Sequence, residues 1–185
     1  EDYPACANHL VISLKELNSL FGQNHGLAGN SEDPMYNWVK DNYASANYTT
    51  TVANGYTATL SLKGYQQFRG AAKIVSVLND SNLPAAPTDK PNSGWYIPSY
   101  KEMQLLNAER TVVNSAISNV GGNQIGEGDY WTSSLDYFES RSGNAYFGYT
   151  YYYDTYCYPF NMTNNGWTAS HNYSTSYPVR VVLAF

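Results

Sequence analysis

Hydrophobic residues along this chain change their spacing partway through, and the change divides it into a helical part and a strand-rich part. The apolar run Leu10-Val11-Ile12-Ser13-Leu14 predicts an early buried strand, although five residues are too few for periodicity to separate strand from helix. Residues 22–34, rich in Gly, Asn and Ser, read as loop, followed by a short helix through Met35, Trp38 and Val39. Residues 42–59 are polar, with many Thr and Asn, and suggest loop or edge-strand material without a definite assignment. Phe68, Ala71, Ala72, Val75 and Leu78 then recur at helical spacing, closed by Asn79-Asp80 and Pro84.

A second helix is better marked. Ser99 precedes Glu102 by three residues, a capping box that satisfies two amide donors left over at a helix start. Met103, Leu106, Val113, Ile117 and Val120 line one face behind it, and Gly121-Gly122 supplies a residue able to take a positive backbone angle at the end. After Gly128 no helical period survives. Aromatic and β-branched residues alternate with turn formers, as in Asn144-Ala145-Tyr146-Phe147-Gly148-Tyr149 and Gly166-Trp167-Thr168-Ala169-Ser170, and read as strands joined by loops. The run from Val179 to Phe185 is mostly apolar on both faces and predicts a strand held inside a sheet. Strand, helix, helix, then several strands is the order of an α+β domain.

Composition narrows the function. At 185 residues the chain fits one domain, residues 1–185. Charged residues are only 14% of the chain, the formal net charge is −5, and no Lys follows Lys101, so nucleic-acid binding is not expected. No apolar run approaches the roughly 20 residues that span a bilayer. The start Glu1-Asp2-Tyr3-Pro4 has neither Met nor a basic-plus-apolar leader, as expected of a trimmed or processed chain. Cys6 and Cys157 permit one disulfide in an exported protein but form no ligand cluster or redox pair.

From Tyr137 to Tyr177 the chain is a dense mixture of Tyr, Asn, Ser, Thr and Gly. Tyr offers a large, stiff, amphipathic contact area with few torsions to freeze, and Ser, Gly and Asn add adaptable hydrogen bonding, a composition shared with antibody paratopes. Between Ser140 and Tyr177 every residue except Met162 and Trp167 can be encoded by a codon of the form NNC, and Lys, Gln and Glu are absent. General composition puts about seven of these five excluded types in such a window. Adenine-directed mutagenesis of AAC codons leaves such an alphabet; an extracellular loop region rich in Tyr and Asn is the alternative. On the first reading Cys157 is a product of diversification, which argues against its pairing with Cys6.

The motifs Gly94-Trp95-Tyr96-Ile97-Pro98-Ser99-Tyr100-Lys101-Glu102, Tyr130-Trp131-Thr132-Ser133-Ser134, Asn144-Ala145 and Val179-Arg180-Val181-Val182-Leu183-Ala184-Phe185 together resemble one family. It is the C-type-lectin-fold domain of bacterial and phage surface proteins, in the branch of the variable proteins of diversity-generating retroelements, with a fold like that of the phage major tropism determinant. The resemblance covers roughly residues 54–185. It implies two helices packed on small, mostly antiparallel sheets, first and last strands paired, and a variable segment spread over a ligand-binding face. Residues 1–53 then hold an N-terminal strand plus an insertion that matches nothing, and residues 130–185 the strands carrying the variable segment. One departure is Val181, where the family often has Pro after the Val-Arg pair.

Other chemistries of the same fold lack their residues. Formylglycine generation needs a pair of active-site cysteines, and Cys6 and Cys157 sit in no such context. Calcium-dependent sugar binding needs a carboxylate where Lys90-Pro91-Asn92 has none. His9, His25 and His171 show no ligand spacing, Glu127 and Asp129 read as solvated loop carboxylates, and no Gly-x-Ser-x-Gly elbow is present. Trp131 and Trp167 fit the framework better than the contact surface.

These readings lead to a non-enzymatic, hypervariable binding domain without a cofactor or metal, working outside the cell on a bacterial surface or phage virion. Its partner is expected to be a protein or glycan receptor on another cell or surface. Tyr137, Tyr146, Tyr149, Tyr151, Tyr153, Tyr156, Tyr158 and Tyr173 are the expected aromatic anchors. Arg141, Asn144, Asp154, Asn161, Asn164, His171 and Asn172 give polar specificity. A fixed-sequence adhesin or carbohydrate-binding module of a surface appendage is the first alternative, and a formylglycine-generating type of enzyme the second.

Overall fold

The computed structural model describes residues 10–20, 53–64, 71–167 and 175–185, with residues 64, 71–72, 136–140, 151–156 and 167 described by their backbone alone. The elements in chain order are β1 (Leu10–Ile12), β2 (Leu17–Leu20), α1 (Gly55–Gly64), α2 (Ala71–Val75) with a 3-10 turn (Ser76–Asn79), β3 (Trp95–Tyr96), α3 (Tyr100–Ala108), α4 (Arg110–Asn119), β4 (Asp129–Tyr130), β5 (Leu135–Asn144), β6 (Gly148–Cys157), β7 (Phe160–Asn161), β8 (Gly166–Trp167), β9 (Ser176–Val179) and β10 (Val182–Ala184). The architecture is mixed α and β, with small antiparallel sheets ordered β1-β10-β3, β2-β9, β4-β7-β8 and β5-β6.

The end of the chain ties two of these sheets together. Leu10, Val11 and Ile12 stand opposite Ala184, Leu183 and Val182, so the first described strand pairs with the last. β10 is flanked on its other side by β3, as expected for a strand held inside a sheet. Between β9, which pairs with β2, and β10, the backbone leaves strand geometry at Arg180 and Val181. Val179 through Ala184 are nonetheless all buried, because the two sheets enclose the strand from both sides.

Four α-helices are described rather than two. The polar stretch left unassigned contains the start of α1, whose Ala58 and Leu62 are fully buried. Its Thr59 is satisfied inside the fold: Oγ1 donates to the Ile97 carbonyl at 3.1 Å and accepts from the Ile97 amide at 2.9 Å. The second predicted helix is two, α3 and α4, parted at Glu109 where the backbone takes φ −102° and ψ 12°. Met103 and Ile117 are buried and Leu106 and Val113 pack beside them, but Val120 is 63% exposed, because it lies past the last helical residue. Gly121 takes φ +72°, as its place after the helix requires. The remaining predicted helix is half α-helix and half 3-10 turn, and it stops at Asn79. Phe68 and the segment around Met35, Trp38 and Val39 lie outside the described residues.

The capping box is present and does more than cap. Glu102 Oε2 accepts from the Ser99 amide at 2.7 Å while Ser99 Oγ accepts from the Glu102 amide at 3.3 Å. The same carboxylate accepts from the Gly55 amide at 3.1 Å and from the Tyr96 hydroxyl at 3.1 Å, joining α1, β3 and α3. β1 forms where expected but is not buried: Leu10, Val11 and Leu14 are exposed, since β1 is the outer strand of its sheet. The main core gathers Leu17, Leu62, Ile74, Ile97, Trp131 and Val179, and a second cluster forms from Tyr100, Met103, Ile117, Tyr130, Phe160 and Met162.

Candidate binding surface

The Tyr-rich segment folds as a long hairpin. β5 and β6 have ten residues each, about 33 Å at the usual rise per residue, and among the described strands they pair only with each other. Their register runs from Leu135 opposite Cys157 to Asn144 opposite Gly148. The stretch Asn144 to Tyr149, read above as strand, is therefore the turn and its flanks. Asn144 Oδ1 accepts from the amides of Tyr146 and Phe147, each at 3.0 Å, a side-chain-built turn. Gly143 and Gly148 beside it take φ +116° and +87°, and a Cβ on Gly143 would strike the Gly148 carbonyl.

The hairpin is buried at its root and open at its end. Leu135 and Cys157 are fully buried in the main core, whereas every residue from Arg141 to Thr150 is exposed. At the turn Tyr146 is 90% and Phe147 86% exposed, their rings edge to face at 5.3 Å. Behind them the Arg141 guanidinium lies 4.8 Å over the Tyr149 ring, a cation–π contact across the two strands. Exposed aromatic surface of this kind is typical of recognition sites.

The motif Tyr130-Trp131-Thr132-Ser133-Ser134 fastens the root. Thr132 Oγ1 donates to the Tyr158 carbonyl at 2.6 Å, Ser134 Oγ accepts from the Tyr100 amide at 2.9 Å, and the Ser133 amide donates to the Pro98 carbonyl at 2.9 Å. Trp131 is fully buried, as expected of a framework residue. Its indole donates to the carbonyls of Ser19 at 3.1 Å and Thr175 at 3.2 Å, and its ring lies 4.8 Å from that of Tyr177. Trp167 is placed in β8 opposite Phe160.

A buried charge braces this framework. Arg180 is fully buried, donates to the carbonyls of Ser13 at 3.1 Å, Asn123 at 2.9 Å and Gln124 at 3.1 Å, and faces Glu16 Oε2 at 3.4 Å. The Tyr130 hydroxyl donates to the same Glu16 oxygen at 2.6 Å and accepts from the Gly126 amide at 2.9 Å. Burial, then the Glu16 carboxylate, push the Tyr130 phenol up to about 12, and burial lowers Arg180. Such a pair stabilises only when its remaining donors are satisfied; the three carbonyls take up the terminal nitrogens, while the buried Nε has no acceptor among the described residues.

The expected site residues divide. Tyr137 lies on β5, and Tyr151, Tyr153, Asp154 and Tyr156 on β6; Tyr151 and Tyr153 stand opposite Arg141 and Glu139. Arg141, Asn144, Tyr146 and Tyr149 are gathered at the exposed end. Tyr158 is half-buried against the second core cluster. Asn161 Nδ2 donates to Asp129 at 2.8 Å and its Oδ1 accepts from the Thr163 and Asn164 amides, so it builds the β7–β8 turn. Asn164 is exposed, and its Oδ1 accepts from the Gly166 amide at 2.9 Å. His171, Asn172 and Tyr173 lie outside the described residues, as do Cys6, His9 and His25. Phe147 was missed, although its place between Asn144 and Gly148 beside Tyr146 was the signal of an aromatic turn.

The restricted-codon window therefore spans two environments. Cys157, Phe160 and Met162 are buried, while residues 141–150 form the exposed part. Met162, which no NNC codon encodes, is a core residue.

No family model and no curated protein matches the chain. A solved structure, a fimbrial protein from Bacteroides ovatus, is similar at 17% identity with a TM-score of 0.65, over 99% of this chain and 37% of that one. The chain thus spans little more than a third of the length of that protein, and what it shares with it is the fold.

Proposed function

We propose that this chain is a non-enzymatic binding domain of the C-type-lectin-like kind, with the β5–β6 hairpin as its contact surface and a protein or glycan on another cell or surface as its ligand. The observation that carries the reading is the contrast along one hairpin: Leu135 and Cys157 are locked in the core while residues 141–150 are exposed and rich in aromatic and small polar side chains. Side chains at the exposed end can change without disturbing the framework, which suits diversification. Binding of the labelled chain to a glycan array and to a panel of bacterial surface proteins tests it. Replacing Arg141, Tyr146 and Tyr149 together by Ser is expected to weaken a detected interaction at least tenfold, about 1.4 kcal/mol. Unchanged binding rules out this surface.

A fixed-sequence adhesin of a surface appendage is the second reading, favoured by the fold shared with a fimbrial protein. The neighbouring DNA separates the two. Diversification predicts a reverse transcriptase gene and a near-copy of the final coding segment differing at adenines; their absence favours the adhesin.

A further inference from the structure

A groove lined by none of the hairpin's residues has chemistry that matches the hairpin end. It lies between β1 and the helices α3 and α4, holds about 240 Å³, and is lined by Leu10, Val11, Leu105, Leu106 and Val113 among others. That is below the roughly 300–1,000 Å³ of small-molecule sites and suits inserted side chains. The charged residues lining it, Glu102 and Glu109, are both acidic, and Glu109 is exposed. Leu105 on its wall is 53% exposed, and with the exposed Leu10 and Val11 it makes a contiguous apolar face.

The exposed end of the hairpin has the opposite shape and charge. Tyr146 and Phe147 project with their turn amides already satisfied by Asn144, so burying the two rings strands no turn donor. Arg141, the sole cation of residues 141–150, sits just behind them over Tyr149. We propose that the Tyr146–Phe147 tip of one copy inserts into the β1–α3–α4 groove of a second copy, with Arg141 facing Glu109. Tip and groove are different surfaces, so the contact is head-to-tail and each added copy presents a fresh tip and a fresh groove. Two aromatic side chains bury well under the roughly 1,200 Å² of a stable complex, so the affinity is weak, on the order of 100 μM.

Sedimentation velocity of the whole chain over a concentration series up to about 1 mM tests this. Wild type is expected to associate, less so as salt rises, because Arg141 and Glu109 contribute. Tyr146→Ser with Phe147→Ser, and separately Leu105→Arg, each weaken association at least tenfold; all three positions are exposed, and circular dichroism checks that the fold is kept. The decisive sample mixes the two variants. The tip variant keeps a groove and the groove variant keeps a tip, so the mixture forms one-to-one dimers that go no further. A wild type that stays monomeric, association that survives both variants, or a mixture that stays monomeric overturns the proposal. Monomeric wild type that still binds a surface ligand through the hairpin sinks this inference alone and leaves the proposed function standing.

Discussion

Glu102 holds the amide of Gly55 at 3.1 Å across 47 residues of sequence, so the carboxylate that caps α3 also secures the start of α1. Ser99 and Tyr96 donate to the same side chain, and all of this lies inside the fold. Glu102→Ala removes the acceptor of four buried hydrogen bonds, from the Gly55 and Ser99 amides and the Ser99 and Tyr96 hydroxyls. The expected loss is about 3 kcal/mol, or roughly 6–12 °C in Tm for a chain of this size, read by thermal unfolding. A loss no greater than that of an ordinary surface cap means the carboxylate does not join the helices.

Gly55 is where that junction is tightest. A Cβ there would meet the Ser99 amide nitrogen at 2.6 Å and the Ile97 carbonyl at 2.8 Å, in addition to the Glu102 carboxylate. Backbone atoms cannot rotate away as a side chain can. Gly55→Ala is expected to destabilise by about 2 kcal/mol or more, although Ala is the better helix former. Chemical denaturation measures it, and a neutral or stabilising result would show that the approach is looser than described.

The Tyr130 phenol gives the fold an alkaline limit. Its ordinary value of 10 is raised to about 12 in the folded chain, so the native state holds the proton more tightly than the unfolded one. The associated stability is complete below pH 10 and is lost as pH rises to about 12, amounting to at most about 3 kcal/mol. Stability measured from pH 8 to 12 should fall in this window beyond the general decline from other phenols. Tyr130→Phe should be less stable at pH 8 by about 1–3 kcal/mol, through the lost Glu16 and Gly126 bonds, and should show a shallower fall. Parallel pH curves for the two proteins would contradict the assignment.

Much of this framework was legible because it follows local rules. Ser99 and Glu102 announce a capping box by spacing alone, Gly121 a helix end, and the mostly apolar run from Val179 to Phe185 an enclosed strand. What was illegible depends on distant partners. Thr59 reads as a loop residue until Ile97 closes on both sides of its hydroxyl, and Leu10 to Leu14 read as core because apolarity says nothing of a position at a sheet edge. Asn144 and Asn161 look like display residues in a Tyr/Asn mixture, yet their carboxamides are consumed in building turns. Composition could not say which Asn folds the chain and which faces outward.

The hairpin's exposed side chains should be replaceable without loss of the fold that holds them. Thermal unfolding of a variant carrying Arg141→Ser, Tyr146→Ser, Phe147→Ser and Tyr149→Ser tests this most directly, with Trp131→Ala as the framework reference. The fourfold variant is expected to unfold cooperatively within about 3 °C of wild type, while Trp131→Ala loses about 3–5 kcal/mol, roughly 6–20 °C. A fourfold variant that loses as much as Trp131→Ala would mean that the aromatic end belongs to the structural core, and the account of it as a contact surface would be wrong.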